Sequence, residues 1–132
     1  MTPEQLRLEE VSAWLDRARH DLRSAELLLA GEEFGEALFH CQQAAEKALK
    51  GFLTFHQRSF PKTHDLSELT PGCVGLDASL GALLVEADAL SQYAWRFRYP
   101  GAPYEPGRAE AVEAVRYAES VVRAIEARLR RL

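Results

Sequence analysis

The residues of this sequence that could take part in chemistry are concentrated in two stretches. The first, "HQRSFPKTHD", carries four basic residues ahead of its first acid: His56, Arg58, Lys62 and His64. Lysine and arginine bind phosphate groups, and histidine transfers protons near neutral pH. A carboxylate beside an imidazole can orient it for acid–base chemistry, which fits His64 next to Asp65. An equally ordinary role for either residue is capping a short helix.

The second stretch, "YAWRFRYPGAPY", is rich in aromatic side chains. It holds five of the chain's twelve aromatic residues: Tyr93, Trp95, Phe97, Tyr99 and Tyr104. Arg96 and Arg98 are interleaved with them. Guanidinium groups suit phosphate and aromatic faces stack on bases, so this composition fits a nucleotide or single-stranded RNA. The structural alternative is that the aromatic residues close a helical bundle while the arginines stack on rings or pair with acids.

Other catalytic and metal-binding patterns are absent from the sequence. There is no glycine-rich phosphate loop, no HExxH, no GxSxG and no carboxylate cluster typical of a two-metal site. Cys41 and Cys73 lie far apart without CxxC or Cys/His pairing, which argues against zinc and against a disulfide framework. The net charge of -4 argues against a broad basic surface for duplex DNA. The sequence therefore predicts no metal, no cofactor and no duplex DNA partner.

Two long helices are predicted before the first of these stretches. Thr2, Pro3 and Gln5 form a capping-box pattern, and apolar residues then keep helical spacing until Gly31, so a helix is expected from Pro3 to about Ala30. The second helix contains "FHCQQAAEKALKGFL" and has the strongest helical period in the chain. Its spacing sends four polar residues to the face opposite the apolar stripe: Gln43, Glu46, Lys47 and Lys50. Glu46 and Lys50 are spaced for an i,i+4 pair.

The remaining elements complete a bundle. A short helix fits between Pro61 and Pro71, with Thr63 or Asp65 as its cap and Leu66 and Leu69 facing inward. A third long helix is expected from near Asp77 to before Pro100, and a last one from Arg108 to Leu132. No strand pattern occurs. The predicted fold class is all-α, an antiparallel bundle of four long helices plus one short helix, in one domain over residues 1–132.

The sequence also bears on location. No segment approaches the ~18 uninterrupted apolar residues of a membrane-spanning helix. The first ten residues, "MTPEQLRLEE", lack the basic start and apolar run of a secretory signal. We therefore expect a cytoplasmic protein with no membrane partner.

Three stretches of the sequence resemble the HEPN family (higher eukaryotes and prokaryotes nucleotide-binding domain). They are "WLDRARHDLRSAELLL" at 14–29, "FHCQQAAEKALKGFL" followed by "KTHDLSEL" at 62–69, and "YAWRFRYPG" at 93–101. Their order and separation also match, and the likeness covers nearly the whole chain. The resemblance implies an all-helical bundle that commonly forms a homodimer. It also implies a minimal nucleotidyltransferase as a frequent partner, as in toxin–antitoxin pairs.

The resemblance also implies which sequence motif a ribonuclease of this family should carry. Some family members are metal-independent ribonucleases with an Arg-x4-6-His motif near the start of the last long helix. Here that region holds Arg96 and Arg98, but no histidine follows His64 in the sequence. Arg58 and His64 satisfy the count, yet Pro61 interrupts them and they precede the expected position. The motif is therefore degenerate, and catalytic residues are left unassigned.

A tyrosine replaces the expected histidine. Tyr104 follows Arg98 by six residues, and a tyrosine is a poor general base at neutral pH because its phenol ordinarily titrates near 10. In toxin branches of the family, the partner nucleotidyltransferase adds AMP to a tyrosine just beyond the motif. By that resemblance Tyr104 or Tyr99 is a candidate AMP acceptor.

Three functions remain open at this point. The first is a non-enzymatic homodimeric module that binds a nucleotidyltransferase, and a nucleotide or RNA, through seven residues: Lys62, His64, Asp65, Tyr93, Arg96, Arg98 and Tyr99. The second is a ribonuclease that uses Arg96 or Arg98 with His64. The third is a plain scaffold without a small ligand. A solvent-exposed His64 within reach of an arginine would favour the enzyme, and a buried, capping His64 would weaken it.

Overall fold

In a computed structural model of the protein, which describes residues 1–102 and 104–130, the first two helices lie where the sequence predicts them. Helix α1 spans Pro3–Ala30 and helix α2 spans Phe34–Phe55. The capping box of α1 is formed: the Gln5 amide donates to Thr2 Oγ1 (3.1 Å) and the Thr2 amide donates to Gln5 Oε1 (2.8 Å).

Both helices end with a non-glycine residue in the left-handed conformation. Gly31 is the C-cap of α1, as predicted, but the positive φ belongs to Glu32 (φ 63°). Gln57 (φ 58°) occupies the equivalent position after α2, and the next amide, of Arg58, donates back to the carbonyl of Leu53 (2.9 Å). The turn at Gln57 reverses the chain, so the loop that follows runs back along α2.

Helices α1 and α2 both carry small buried residues, which allow neighbouring helices to pack closely. Fully buried alanines occur on both helices: Ala18, Ala25, Ala37, Ala44, Ala45 and Ala48. At Gly51 a β-carbon would lie 3.1 Å from the Trp14 β-carbon, so a larger residue at this position would push the two helices apart. Salt bridges from Arg108 to Glu32 and from Arg19 to Glu126 show that the last helix runs antiparallel to α1.

The segment between α2 and the last helix is helical but irregular. It contains a 3₁₀ turn at Leu66–Glu68, α3 (Thr70–Leu76), a 3₁₀ turn at Ala78–Leu80, α4 (Gly81–Leu84), α5 (Asp88–Ser91) and a 3₁₀ turn at Gln92–Ala94. Pro71 therefore begins a helix, where the sequence predicts the end of one. Leu66 and Leu69 are fully buried, as predicted.

The prediction of one continuous third long helix is wrong, because short helical pieces take its place. The predicted antiparallel direction of this segment is correct. Contacts of Asp77 with Arg128 and of the Leu83 carbonyl with Tyr117 run antiparallel along α6, the last helix, which spans Arg108–Arg128. The predicted end of this helix at Leu132 lies outside the described residues. From Leu84 to Tyr93 the buried positions recur every third residue. A spacing of three fits the 3.0-residue turn of a 3₁₀ helix, which explains why regular α-helical hydrogen bonding is lost there.

The all-helical class is confirmed, and the described residues contain no strand. The count of four long helices is approximate, because three are continuous and the fourth place in the bundle is taken by the short segments 77–94. The Tyr117 hydroxyl of α6 donates to the Leu83 carbonyl in those segments (2.6 Å), and Val121 of α6 is fully buried. Within the described part of the chain, no helix has the length and apolar character needed to cross a membrane.

The two free thiols predict how stability depends on pH. Burial raises the pKa of both Cys41 and Cys73 from 9.0 to about 12, and at Cys41 the nearby Glu26 carboxylate adds to the effect. Because the folded-state pKa is raised, this contribution to stability is complete below about pH 8.5 and is lost as the pH rises towards 12. Urea unfolding at several alkaline pH values should therefore show a smaller loss of stability per pH unit in a Cys41→Ala/Cys73→Ala variant, by up to about 1.4 kcal/mol for each thiol. Equal slopes in the two proteins would contradict this.

Candidate functional site

A hydrogen-bonded polar cluster is centred on Glu46, in the middle of the largely apolar helix α2. Glu46 Oε1 accepts from Gln42 Nε2 (3.0 Å) and from His64 Nδ1 (2.8 Å), and Oε2 accepts from Lys50 Nζ (3.0 Å). Gln42 Nε2 also donates to the carbonyl of His64 (2.8 Å), and Lys50 Nζ donates to the carbonyl of Thr63 (3.0 Å). We call these five residues the Glu46 cluster. It ties the loop after α2 to the helix.

The ion pair at the centre of this cluster is withdrawn from water. The side chains of Glu46 and Lys50 are only 4% and 9% exposed. Lys50 Nζ also lies 5.7 Å from the ring centres of Trp14 and Phe60, which face each other edge to face. A buried ammonium needs such compensation, and here a carboxylate, a carbonyl and two aromatic rings provide it.

These positions correct one sequence-based expectation. The sequence assigns the face of α2 with Gln43, Glu46, Lys47 and Lys50 to solvent or to a subunit contact, whereas Gln43, Glu46 and Lys50 are buried. The predicted i,i+4 pair of Glu46 and Lys50 is present. The helical period correctly separates the two faces, but it cannot show that α1 and the loop after α2 cover the polar face.

His64 is held by this cluster but remains open to solvent. Its side chain is 69% exposed. Because a carboxylate oxygen accepts the hydrogen bond at Nδ1, the proton lies on Nδ1 and the lone pair of Nε2 points outward. The orienting acid is thus Glu46 and not the adjacent Asp65. The arrangement is chemically suited to proton transfer or nucleophilic attack at Nε2.

Asp65 has the capping role considered for this stretch. Its carboxylate accepts from the amide (3.0 Å) and the hydroxyl (2.7 Å) of Ser67, and these bonds hold the pKa of Asp65 below its usual value. Ser91 joins them, since its hydroxyl donates to Asp65 (3.3 Å) and accepts from the Leu66 amide (2.9 Å). His64 itself caps nothing. Lys62 is exposed and forms no ion pair within the described residues.

A second buried acid, Asp21, binds a histidine and a lysine of α2 on the side of that helix that faces α1. Asp21 of α1 accepts from His40 (2.8 Å) and from Lys47 (2.5 Å) of α2, and its side chain is 10% exposed. His40 is therefore a histidine on a helical face whose ring has a hydrogen-bond partner within the fold. His40 also packs edge to face against Phe39. The polar face of α2 thus carries two carboxylate–histidine–lysine groups, one towards α1 and one towards the loop.

Residues 93–102 and 104, which we call the aromatic loop, are organised around Glu110 of α6. The hydroxyls of Tyr93 (2.6 Å) and Tyr104 (2.7 Å) both donate to Glu110 Oε2, and the Phe97 ring lies between the two tyrosine rings. The hydrogen bond to Glu110 raises the pKa of Tyr104. Burial, and then the same carboxylate, raise the pKa of Tyr93. Both phenols therefore keep their protons, so Tyr104 is a weak nucleophile in this conformation.

The arginines of the aromatic loop contact rings, as the structural alternative supposed. Arg98 lies 4.0 Å from the ring centre of Phe39, and Arg96 lies 5.5 Å from that of Tyr104 while its guanidinium also donates to Gln92. Neither arginine pairs with an acid within residues 1–102 and 104–130. Trp95 is 58% exposed and Tyr99 is 69% exposed. The loop therefore presents large aromatic side chains and cations that no described carboxylate neutralises.

A groove of about 540 Å³ separates the aromatic loop from the beginning of α2. Four glutamates line it, Glu32, Glu33, Glu36 and Glu105, and Glu32 is paired with Arg108 (2.6 Å). Tyr99, Tyr104 and Phe97 supply aromatic surface, and the described lining includes no basic residue. This groove is thus acidic and aromatic, which suits a basic segment and disfavours a polyanion.

The two sequence stretches meet on one face of α2 without touching at their key residues. Arg98 stacks on Phe39 and His64 binds Glu46, and these two positions of α2 are seven residues apart, about 10 Å along the axis. His64 is exposed, as the enzyme hypothesis requires. Arg98, however, contacts α2 two turns away from Glu46, which binds His64. No group of three metal-ligating side chains comes together in the described portion of the protein.

Sequence reasoning missed Gln42 and Asp21. Gln42 occupies an inward position of the apolar stripe, four residues after the fully buried Leu38 and three before the fully buried Ala45. A polar residue at such a position signals a buried hydrogen-bond network, and this signal was available. Asp21 lies in the long α1, and its two partners come from another helix, so no local spacing identifies it.

The chain is similar to a known family over most of its length. The sequence profile of the HEPN domain matches residues 11–128. The crystal structure of TT1696 from Thermus thermophilus is 32% identical, with a TM-score of 0.75 over 88% of this chain and 95% of that one. The structure of ST0689, an archaeal HEPN homologue, is 28% identical, with a TM-score of 0.73 over 89% of this chain and 96% of that one. No functionally curated protein matches this chain.

The buried pair at the centre of the Glu46 cluster should contribute far more to stability than an exposed pair of the same spacing. Replacing Lys50 with methionine leaves Glu46 without its cationic partner in a buried site, and we expect a loss of about 3 kcal/mol in the free energy of unfolding. Arg123→Met is the matched control, because Arg123 pairs with Glu119 at i,i+4 on the surface (2.9 Å). That change should cost less than about 1 kcal/mol. Urea unfolding of both variants gives the comparison, and equal losses would show that burial does not set the difference.

Proposed function

This chain belongs to the HEPN domain family, and from that premise we propose that it is the nucleotide-binding and/or partner-binding module of a minimal nucleotidyltransferase, in a toxin–antitoxin-like pair. The homodimer is a further part of the proposal and rests on the family resemblance. A cytoplasmic location stays a prediction.

The exposed side chains of the aromatic loop carry the proposal. Trp95 and Tyr99 are largely open to solvent, and they flank Arg96 and Arg98, which no described carboxylate neutralises. Tryptophan, tyrosine and arginine are the residues that most often dominate the energy of protein interfaces. Large aromatic side chains left in water on one loop therefore support a protein partner.

The charge of the adjoining groove supports the same class of partner. The three glutamates that have no described cationic partner, Glu33, Glu36 and Glu105, would repel an RNA backbone but attract lysine or arginine side chains of a protein. We therefore place the docked nucleotidyltransferase over this groove and the exposed side chains of Trp95 and Tyr99.

We assign a bound nucleotide to a different place, the surface between the aromatic loop and the loop after α2, because the face of α2 beneath that surface is itself buried. Arg98 lies at one end of this surface and His64, with the exposed Lys62, lies near the other. Guanidinium and ammonium groups bind phosphate, and the Phe39 ring beneath Arg98 keeps that guanidinium in place. Of the residues named for nucleotide contact, Tyr93 and Asp65 already use their polar atoms within the fold.

Substitutions in the aromatic loop test partner binding. We expect Trp95→Ala and Tyr99→Ala each to weaken binding to the minimal nucleotidyltransferase encoded nearest in the genome by more than about tenfold, because each removes an exposed aromatic anchor. Val85→Ala is the control, since Val85 is also exposed (76%) but lies outside the loop and the groove. Isothermal titration calorimetry provides the affinities. Binding unchanged by both aromatic substitutions would place the partner elsewhere.

A metal-independent ribonuclease is the second candidate, and one observation favours it. His64 is exposed and oriented by a buried carboxylate, as a general base that deprotonates an RNA 2′-hydroxyl should be. The site would also need a cation for the phosphate, and Arg98 contacts α2 two turns away from Glu46. In a ribonuclease, a site shared across a dimer would have to bring the His64 of one protomer close to an arginine of the other.

Cleavage of RNA separates the two candidates. Under the first proposal, a labelled mixed-sequence RNA stays intact with the wild-type protein in EDTA, because no arginine of the aromatic loop lies beside His64. Under the second, the wild type cleaves it while His64→Asn and Arg96→Ala/Arg98→Ala do not. Cleavage that persists in all three proteins would indicate a contaminant and support neither candidate. Gel electrophoresis of the products provides the readout.

A further inference from the structure

A second groove runs between the segment 85–93 and helix α6. Its volume is about 540 Å³, and its described lining shares no residue with the groove beside the aromatic loop. The two walls run antiparallel, because the Tyr117 hydroxyl donates to the Leu83 carbonyl near one end (2.6 Å) and the Tyr93 hydroxyl donates to Glu110 at the other (2.6 Å). Glu110 and Tyr117 are seven residues apart on α6, about 10 Å along its axis. We call this site the α6 groove, and it is long enough to hold about two turns of a helix.

Apolar side chains form the floor and one edge of the α6 groove. Leu90 and Ala114 are buried beneath it, whereas Val85 and Ala89 are exposed along it. Val85 and Ala89 are four residues apart in a segment whose core-facing positions recur every third residue, so neither contributes to the core. Exposed apolar side chains gathered along a groove are typical of a surface that binds a partner.

The charged residues that line this apolar strip are all negative. They are Glu86, Glu110 and Glu113, and the described lining contains no basic residue. Glu86 and Glu113 form no ion pair in the part of the chain that the structure describes. The negative field extends to the end of the groove, since burial first and then the carboxylates of Glu86 and Asp88 raise the pKa of Tyr117. The groove therefore attracts a positively charged partner and repels a nucleic acid or an anionic lipid surface.

We propose that the α6 groove binds a basic amphipathic helix of a protein partner. The apolar stripe of such a helix covers the apolar strip, and lysine or arginine residues beside the stripe pair with Glu86 and Glu113. The small side chains of Ala89 and Ala114 allow the helix to approach closely. A metal ion is a poorer occupant, because the described residues bring no three metal-ligating side chains together.

This site is separate from the one proposed for the nucleotidyltransferase. Glu110 lies between the two grooves, because the same carboxylate oxygen accepts from Tyr93 of the α6 groove and from Tyr104 of the other. The groove beside the aromatic loop also has a different form. Its lining includes Pro100 and Pro106, and a loop of this kind does not offer the straight wall that a helix needs. The partner proposed for the α6 groove is therefore additional to the nucleotidyltransferase.

Binding of a defined peptide tests the charge requirement. The probe is a fluorescently labelled peptide of about 14 lysine and leucine residues with leucine at helical spacing, titrated with the full chain and followed by anisotropy. Glu86→Gln/Glu113→Gln should weaken binding at least about fivefold, because it removes the two carboxylates that pair with the lysines. Glu33→Gln/Glu36→Gln is the matched control, since it removes two exposed glutamates without a described cationic partner from the other groove. The control should change the affinity by less than about twofold. Equal weakening by both variants would show that the peptide senses only net charge and would overturn the inference.

A rearranged peptide tests the apolar floor. With the same lysines and leucines placed so that no apolar stripe forms, it should bind at least about fivefold more weakly than the amphipathic peptide. Val85→Ser should weaken binding of the amphipathic peptide and leave binding of the rearranged one unchanged. Val85 is exposed, so the fold does not depend on its side chain. Equal affinity for the two peptides would reduce the site to a patch of negative charge and overturn the inference.

Two further measurements distinguish the helix from other occupants. In sedimentation equilibrium, a homodimer of the wild type that dissociates in Glu86→Gln/Glu113→Gln would show that a second copy of this chain covers the α6 groove. In calorimetry, weaker binding of the nucleotidyltransferase to the same variant would assign the groove to that interface. Either result would overturn the inference, and we expect the variant to match the wild type in both. If the nucleotidyltransferase binds neither protein, the proposed function fails while the peptide titrations still decide the inference.

Discussion

The ion pair between Glu46 and Lys50 is the interaction on which the arrangement of this site depends. Two opposite charges in the middle of an apolar helix are costly to bury unless every polar atom finds a partner. The loop after α2 supplies these partners, because the carbonyls of Thr63 and His64 and the imidazole of His64 all bond to this one helix face. A single requirement, satisfying the buried charges, thus fixes the loop, orients the histidine and brings Phe60 over Lys50.

The parts of this fold that the sequence predicts are those governed by local interactions. The capping box at Thr2, the lengths of α1 and α2, and the pair of Glu46 and Lys50 follow from spacings of three or four residues. The segment 77–94 is predicted as one regular helix because it has no internal proline and an apolar stripe. Its actual form depends on packing against α6, which favours a contact at every third residue, and such tertiary preferences override local propensity.

The candidate site shows the same division between local and long-range information. Residue types in the two stretches identified the histidine and the arginine that the fold places along one face of α2, and the tyrosines of the aromatic loop. Their partners could not be identified, since Glu46 is 18 positions from His64 and Glu110 is 17 from Tyr93. The adjacent Asp65 was the natural candidate to orient His64, but its own turn uses that carboxylate. A residue such as Asp65 forms hydrogen bonds with the backbone of its own turn, so its carboxylate is not available to its neighbour. The hydrogen bond of His64 is then accepted by Glu46, which is distant in sequence.

Because the chain reverses at Gln57, the length of the loop that follows determines which residue reaches Glu46. Surface loops usually tolerate insertions and deletions, because closing a slightly longer loop costs little entropy. Here six residues separate the left-handed turn from His64, and they end in register with the Glu46 cluster. One residue more or fewer would shift a different side chain onto Glu46 and move the imidazole away. Length in this loop is therefore constrained as strictly as in a packed helix, although most of its side chains face water.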